Sequence, residues 1–146
     1  MILYGLNNIV KCGSYIYYID MLGERFHLRN ETSTFLYGVT LDDDEKVLIE
    51  DIEMSDFLLD NIFKKEKEGS WIVDSLHAGT SDIPYFRIEK DESGEAYLFT
   101  REGKFIMYID YVRELQNAYH FFSDIEGDNF LNDDIDTKLK KLFKLI

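Results

Sequence analysis

The clearest structural signal in the sequence is the stretch Ala96-Tyr-Leu-Phe-Thr-Arg-Glu-Gly-Lys-Phe-Ile-Met-Tyr-Ile-Asp110. Its two apolar-rich runs are Ala96–Arg101 and Lys104–Asp110, and only the dipeptide Glu102-Gly103 separates them. A two-residue connection of this kind suits the tight turn of a β-hairpin. The stretch therefore predicts two antiparallel strands that are neighbours in a sheet.

Further strands are predicted on the N-terminal side of this hairpin. Tyr85–Lys90 reaches it through Asp91-Glu-Ser-Gly94, so the three segments predict an antiparallel meander. Earlier runs rich in Ile, Val, Tyr and Phe, punctuated by Gly or Asn, predict strands at Ile2–Val10, Tyr15–Leu22, Glu24–Leu28, Thr34–Leu41 and Trp71–Leu76.

Three helices are predicted from apolar residues at helical spacing. The first begins after Ser55, whose hydroxyl can accept hydrogen bonds from the first turn, and it ends at Gly69. The other two span Tyr111–Phe122 and Ile135–Ile146. In the first helix, the residues predicted to pack on the sheet are Met54, Phe57, Leu58 and Ile62.

The order of these elements indicates an α+β fold. Strands come in runs rather than alternating with helices, which predicts a mostly antiparallel sheet with about three helices packed on it. No internal repeat and no Gly/Ser-rich or Pro-rich linker divides the 146 residues, and Pro84 is the only proline. We therefore expect a single domain over residues 1–146.

The charge balance restricts the class of partner. The chain contains 29 acidic and 16 basic side chains, a formal net charge of −13. Such a surplus repels phosphate backbones and anionic headgroups, so neither nucleic acid nor a membrane surface is an expected partner. The lone cysteine, Cys12, indicates a reducing compartment, and no signal peptide or apolar run near the roughly 20 residues of a membrane span is present. These features predict a cytoplasmic protein.

No sequence motif predicts catalysis, a cofactor or a metal site. The three histidines, none of which has a catalytic or metal-ligand spacing, are His27, His77 and His120. The nine glycines are scattered and form no phosphate-binding loop, so we expect no nucleotide cofactor and no enzyme. The main alternative is a small enzyme or ligand-binding domain, because His77 lies with Ser81 and Asp82 in a predicted loop over Leu76–Pro84.

A second acid-rich segment, Asp124–Asp134, is as dense in oxygen ligands as a calcium-binding loop. The EF-hand frame that starts at Asp124 requires Gly and Glu at the places of Asn129 and Ile135, so the frame fails at both. We interpret the segment as a solvated acidic loop that caps the last helix. Weak divalent-metal binding there stays open.

One feature exceeds what an ordinary domain needs: the acidic run, which we define as residues 42–60. Its acids are Asp42, Asp43, Asp44, Glu45, Glu50, Asp51, Glu53, Asp56 and Asp60. Such charge keeps a chain soluble, and it also steers a basic protein partner towards the surface. The aromatic residues nearest to the run or to the His77 segment, which are candidate interface anchors, are Tyr37, Trp71 and Tyr85.

An acidic, aromatic-rich chain of this length without a catalytic motif resembles the small immunity proteins of bacterial toxin systems, including contact-dependent growth inhibition. The resemblance implies a non-enzymatic, cytoplasmic antidote that binds one cognate basic toxin domain, commonly a nuclease, and occludes its active site. A monomer is expected. A further alternative is an acidic regulatory adaptor that oligomerises through the apolar stripe of Ile135–Ile146.

Overall fold

The computed structural model describes residues 4–22, 25–30, 34–37, 49–78, 81–126 and 135–146. Within these ranges the chain forms two five-stranded antiparallel sheets and three helices. The α+β class and the antiparallel pairing are thereby confirmed, although the strands are divided between two sheets rather than gathered in one. The chain falls into two compact units, one of Met1–Ile52 with Asp136–Ile146 and one of Glu53–Ile135. That residues 1–146 act as a single domain stays a prediction.

The first unit contains a sheet with the strand order β4-β3-β2-β1-β5. Its strands are β1 (Ile9–Cys12), β2 (Tyr15–Leu22), β3 (Arg25–Arg29), β4 (Thr34–Tyr37) and β5 (Ile49–Asp51). Tyr17 and Ile19 lie two residues apart on β2 and so share one face, with Val10 and Leu28 as their cross-strand partners. All four side chains are buried, so this face of the sheet forms the core of the unit.

The C-terminal helix α3 (Ile135–Leu142) contributes most of its length to this unit. The Lys140 ammonium donates to Asn7 Oδ1 at 2.7 Å and lies 4.1 Å from the ring centroid of Tyr18. Beyond the helix, Lys144 has a φ of 59°, and the N–H of Leu145 donates to the Lys140 carbonyl. This is the Schellman arrangement, in which a left-handed residue ends the helix. The predicted helix to Ile146 is therefore too long by one turn.

The second unit contains a sheet with the strand order β10-β9-β8-β7-β6. Its elements are α1 (Asp56–Ile62), β6 (Lys64–Lys67), β7 (Ser70–Ala78), β8 (Ser81–Lys90), β9 (Tyr97–Arg101), β10 (Lys104–Tyr108) and α2 (Val112–Glu126). Phe86 and Phe99 are fully buried side chains of this sheet. The ring of Phe122, on α2, lies 5.2 Å and 5.4 Å from their centroids, so α2 packs on the sheet through aromatic contacts.

The hairpin predicted from the opening stretch is confirmed. Lys104 pairs with Arg101, and the connecting residues Glu102 and Gly103 both have positive φ angles, 51° and 79°. Two consecutive left-handed residues define the type I′ turn, whose twist matches that of the flanking strands. The meander with β8 is also confirmed, because β8 pairs antiparallel with β9.

Two predicted boundaries are wrong, one in each unit. Ser55 caps α1 as predicted, since the Leu58 N–H donates to its hydroxyl at 3.3 Å. The helix nevertheless ends at Ile62 instead of reaching Gly69, because Phe63 is extended (φ −127°, ψ 161°) and Lys64–Lys67 pairs with β7. Pairing with a neighbouring strand here outweighs the helix propensity of the lysine-rich run. In the first unit, β1 begins at Ile9 instead of Ile2, and residues 2 and 3 of the predicted Ile2–Val10 strand lie outside the described ranges.

Candidate functional site

The acidic run does not form one surface element. Asp42, Asp43, Asp44 and Glu45 lie outside the described residues. Glu50 and Asp51 belong to β5 in the first unit, where Glu50 lies 3.5 Å from the Lys11 ammonium. Glu53, Asp56 and Asp60 belong to the second unit, at the start of α1 and within it.

The acidic charge is concentrated in the second unit. The sequence of Glu53–Ile135 holds 19 acidic and 8 basic side chains, a formal net charge of −11. The rest of the chain holds 10 acidic and 8 basic side chains, a formal net charge of −2. The net charge of the whole protein therefore arises almost entirely from one of its two units.

Two carboxylates of α1 attach the helix to the sheet of this unit. Asp56 accepts a hydrogen bond from the Tyr97 hydroxyl at 2.5 Å, and the Lys90 ammonium lies 2.9 Å from the same carboxylate. These hydrogen bonds, that of Lys90 first, hold the pKa of Asp56 below its usual value. Burial and the neighbouring carboxylate raise the pKa of Tyr97. The neutral phenol of Tyr97 therefore donates a hydrogen bond to the ionised carboxylate of Asp56. Because Asp56 is the first residue of α1, this bond holds the first turn of the helix on the sheet.

The second carboxylate explains why Trp71 is not the solvent-facing anchor that the sequence predicted. Trp71 is 0% exposed, and its indole N–H donates to Asp60 Oδ1 at 2.8 Å. Its ring belongs to the core of the sheet, opposite Ile88 in the register. A tryptophan in this position contributes to folding, and it cannot be buried further by a partner.

Phe57 differs from its prediction in the opposite direction to Trp71. The sequence pattern predicted a buried side chain, and in the structure the side chain is 67% exposed. The buried neighbours Leu58 and Leu59 set the inward direction of α1. At 3.6 residues per turn, Phe57 lies about 150° from the midpoint between them. The sequence contained a pattern that predicts this exposure. The adjacent leucines Leu58 and Leu59 indicate the buried face of the helix more reliably than the three-residue spacing between Met54 and Phe57.

The outward side of the helix, which we call the α1 face, consists of Phe57, Asp60 and Asn61. They occupy positions i, i+3 and i+4 and so share one side, and both polar residues are exposed. Asn61 donates its side-chain N–H to the Phe57 carbonyl at 2.7 Å. Glu53, also exposed, precedes the helix and forms an isolated β-bridge with Tyr111. The α1 face offers an apolar ring beside the Asp60 carboxylate, which fits a partner side chain with an alkyl stem and a positive end.

A second group of exposed aromatic residues lies on β10 and was not singled out by the sequence. Phe105 is 54% exposed and Tyr108 is 53% exposed, and their ring centroids are 5.0 Å apart in an edge-to-face arrangement. Nothing in the pattern of the strand predicted this pairing, because residues three apart on a regular strand point to opposite faces.

The other predicted anchors and the alternative site remain untested. Tyr37 ends β4 and Tyr85 lies in β8, but the structure describes only their backbone. The segment around His77 is not the predicted loop: β7 extends to Ala78, β8 begins at Ser81, and His77 pairs with Asp82. β7 and β8 form a hairpin here instead of the loop, because their residues pair without interruption from Ser75 and Pro84 to Ala78 and Ser81. An enzymatic use of these residues stays a prediction.

Within the described ranges, no group of three or more His, Cys, Asp or Glu side chains is arranged to hold a metal ion. None of the helices found there is long and apolar enough to cross a membrane. Part of the acid-rich segment Asp124–Asp134 lies outside those ranges.

Comparison with protein-family models, with curated proteins and with solved structures finds no match to this chain.

Proposed function

We propose that this protein is a cytoplasmic immunity protein that binds a cognate basic toxin domain, with a nuclease as the expected activity, and occludes its active site. The observation that supports the proposal is the concentration of charge: 19 acidic against 8 basic side chains in the unit Glu53–Ile135. A unit of this charge repels nucleic acid and attracts proteins that bind nucleic acid. The binding surface in this proposal is the α1 face together with Glu53.

Electrostatic steering accounts for the role of the acids. Complementary charge can raise association rate constants from about 10⁵–10⁶ M⁻¹s⁻¹ to about 10⁸–10⁹ M⁻¹s⁻¹ at low salt. Exposed acids such as Glu53 and Asp60 contribute mainly to this rate, because water and salt screen their charges. An inhibitor of a toxin inside its own cell benefits from rapid capture.

Phe57 accounts for the stability of the complex in this proposal. A ring that is 67% exposed in the free protein has most of its apolar area left to bury on binding. Aromatic anchors of this kind dominate the energies of interfaces and act mainly on the dissociation rate. The helix that carries Phe57 is held in place by Asp56 and Asp60, so little ordering is required when the partner binds.

Of the apolar stripe on which the adaptor alternative depends, the C-terminal residue Ile146 is 58% exposed, whereas Ile135 and Leu139 are buried. Ile135 is 1% exposed and Leu139 is 0% exposed within the chain itself, so these two residues of the apolar stripe are not available to another copy. The alternative in which the acids serve solubility alone makes a different prediction from ours, because solubility depends on the number of charges and not on their position.

The proposal is tested by capture followed by kinetics. The tagged protein is used to capture partners from native lysate at about 50 mM salt, where charge interactions are screened least, and the bound fraction is washed at rising salt. A stoichiometric basic protein that survives the washes is purified, and its association and dissociation are measured with two variants of equal charge. The variant Glu53→Gln/Asp60→Asn removes two charges at the α1 face and keeps an oxygen that can accept from Trp71. The control removes two exposed charges elsewhere in the same unit, Glu92→Gln/Glu95→Gln.

We expect the α1-face variant to slow association at low salt by about tenfold and the control by less than about twofold. We expect Phe57→Ala to raise the dissociation rate by roughly thirtyfold, the effect of a hot-spot residue. Equal effects of the two charge variants would place the interface elsewhere. A capture that yields only many cationic proteins lost at moderate salt would refute the immunity proposal.

A further inference from the structure

The two edges of the sheet in the second unit differ in how they are protected. β6 forms one edge, and its sequence Lys64-Lys-Glu-Lys67 is exposed throughout. Lysines on an edge strand oppose pairing with another chain, because a neighbouring strand would have to desolvate them. β10 forms the other edge, and in the part of the chain that the structure describes its residues pair with β9 alone. The open stretch ends at Tyr108, because two residues further on the Asp110 carbonyl accepts from the Met54 N–H at 2.9 Å. β10 carries a single exposed lysine, Lys104, at its first position, and its other exposed side chains are two aromatic rings, Phe105 and Tyr108.

A β-bulge brings these two rings to one face. Phe105 pairs with Thr100 and Met107 pairs with Phe99, so Ile106 is an extra residue on β10. The extra residue shifts the alternation by one position and places Tyr108 on the same face as Phe105. The result is the edge-to-face pair at 5.0 Å, with each ring half exposed. β10 therefore presents a preformed aromatic pair beside an open strand edge.

The backbone of Tyr108 is directed to the open side. The N–H of Ile109 donates to the Tyr97 carbonyl at 2.9 Å, so Ile109 belongs to the hydrogen-bonded set that faces β9. Backbone groups in an antiparallel strand alternate in direction, so the N–H and C=O of Tyr108 point away from β9. One residue thus supplies an exposed ring and both backbone groups that an added strand requires.

We propose that β10 is a docking edge at which an extended, lysine- or arginine-bearing segment of a partner protein adds as a further strand. This inference rests on the proposed function in one respect, namely that the partner is a basic protein. Backbone hydrogen bonds with Tyr108 supply affinity, and the Phe105–Tyr108 pair receives alternate apolar side chains of the added strand. The unit as a whole carries a formal net charge of −11, and its field attracts the basic residues of that strand.

Charge also decides between this partner and a second copy of the chain. Pairing of two β10 edges would bring together two units that each carry a formal net charge of −11. Like charges of this size oppose association, whereas a cationic strand gains from the same field. The occupant that fits the edge is therefore a basic segment of another protein.

The probe for this proposal is a pair of capped octapeptides, acetyl-(Lys-Val)₄-amide and acetyl-(Glu-Val)₄-amide. Both alternate in the way that a strand requires, and they differ only in the sign of their charge. Each is titrated into the ¹⁵N-labelled full chain, and amide chemical shifts and hydrogen-exchange rates are recorded. We expect the lysine peptide to shift the amides of Lys104–Ile109 and to slow exchange of the Tyr108 amide, and the glutamate peptide to do neither.

A pair of variants isolates the backbone contribution. Tyr108→Ala removes the ring and keeps the outward N–H, while Tyr108→Pro removes both without breaking a bond to β9. We expect the lysine peptide to bind the alanine variant about tenfold more weakly than the wild type. The proline variant should lose about a further fivefold, the effect of one lost hydrogen bond. The control is the spectrum of each variant without peptide. If the amide chemical shifts of Phe99 and Ile88 equal those of the wild type, the sheet is intact.

Several results would overturn the docking edge. In the titration, these results are chemical-shift changes centred on the α1 face or on β6, an unchanged exchange rate of the Tyr108 amide, or no binding at millimolar peptide. Among the variants, the result is equal binding of the lysine peptide to Tyr108→Ala and Tyr108→Pro. Equal binding of the two peptides would overturn the basic occupant. None of these results bears on whether a stoichiometric basic partner is captured from lysate, so the two proposals fail on separate experiments.

Discussion

The hydrogen bond between Tyr97 and Asp56 gives the most direct test of how α1 is held on its sheet. The substitution Tyr97→Phe removes only the hydroxyl that donates to Asp56 at 2.5 Å and keeps the ring that packs 6.1 Å from Trp71. Asp56 retains its contact with Lys90, so no charge is left unpaired. A hydrogen bond to a charged group contributes roughly 1.5–3 kcal/mol, and the partial exposure of the carboxylate (46%) reduces this. We expect a loss of about 1–1.5 kcal/mol in the free energy of unfolding.

The assay is urea unfolding followed by the fluorescence of Trp71, which is the only tryptophan and lies in the core of the same unit. The matched control is Tyr108→Phe, since that side chain is 53% exposed and loss of its hydroxyl should change the free energy of unfolding by less than about 0.5 kcal/mol. Equal effects of the two substitutions would refute the reasoning, because they would show that the Tyr97 hydroxyl bonds no better to Asp56 than to water.

The pH dependence of the same pair follows from the directions of the two pKa shifts. The pKa of Asp56 is lowered on folding, so its contribution to the free energy of unfolding is present above the ordinary carboxyl pKa and is lost as the pH falls through the lowered value. The pKa of Tyr97 is raised on folding, so its contribution is fully present below the ordinary phenol pKa of 10.0 and is lost as the pH rises beyond it. In Tyr97→Phe the loss on the alkaline side should disappear, and persistence of the full loss would contradict the assignment.

Three further substitutions test local features by the same unfolding assay. Ser55→Ala should lower the free energy of unfolding by about 1 kcal/mol through loss of the cap on α1, and an unchanged value would contradict the capping role. Ser70→Ala is the same chemical change, and it should leave the free energy of unfolding unchanged or raise it by up to about 1 kcal/mol. The reason is that the Ser70 hydroxyl is buried and finds no hydrogen-bond partner among the described residues. A clear loss of stability would contradict this and indicate a hydrogen-bond partner for the hydroxyl. Lys144→Gly should raise the free energy of unfolding by about 1 kcal/mol relative to Lys144→Ala, read by circular dichroism, because glycine adopts the positive φ of that position without strain.

The parts of the fold that the sequence predicted correctly are those encoded within a few residues. Glu102-Gly103 specifies its turn because its neighbours alternate as strands and its backbone can adopt positive φ. Ser55 specifies the start of α1 because its hydroxyl is three residues from the N–H that it accepts from. The same local reasoning failed at Lys64–Lys67, where a helix-forming composition pairs as a strand with residues of β7.

The candidate site was predictable only in part, and for a physical reason. The surplus of acids is a property of composition, so the net charge of −13 could be counted from the sequence, and the prediction of a basic partner follows from that count. Two side chains were predicted wrongly, because exposure depends on what packs against a side chain: the sheet buries Trp71, which was predicted as an anchor, and the leucines of α1 turn Phe57 outward, although it was predicted to be buried.

The α+β class, the hairpin, the helix cap and the sign of the charge could be predicted from the sequence, since each depends on backbone geometry over a few neighbours or on a simple count. Three features became visible only in the folded chain: the division into two sheets, the concentration of acids in Glu53–Ile135 and the bulge that joins the rings of Phe105 and Tyr108. These features depend on which distant segments pair and in what register. A shift of one residue in that register moves a side chain to the other face of the sheet.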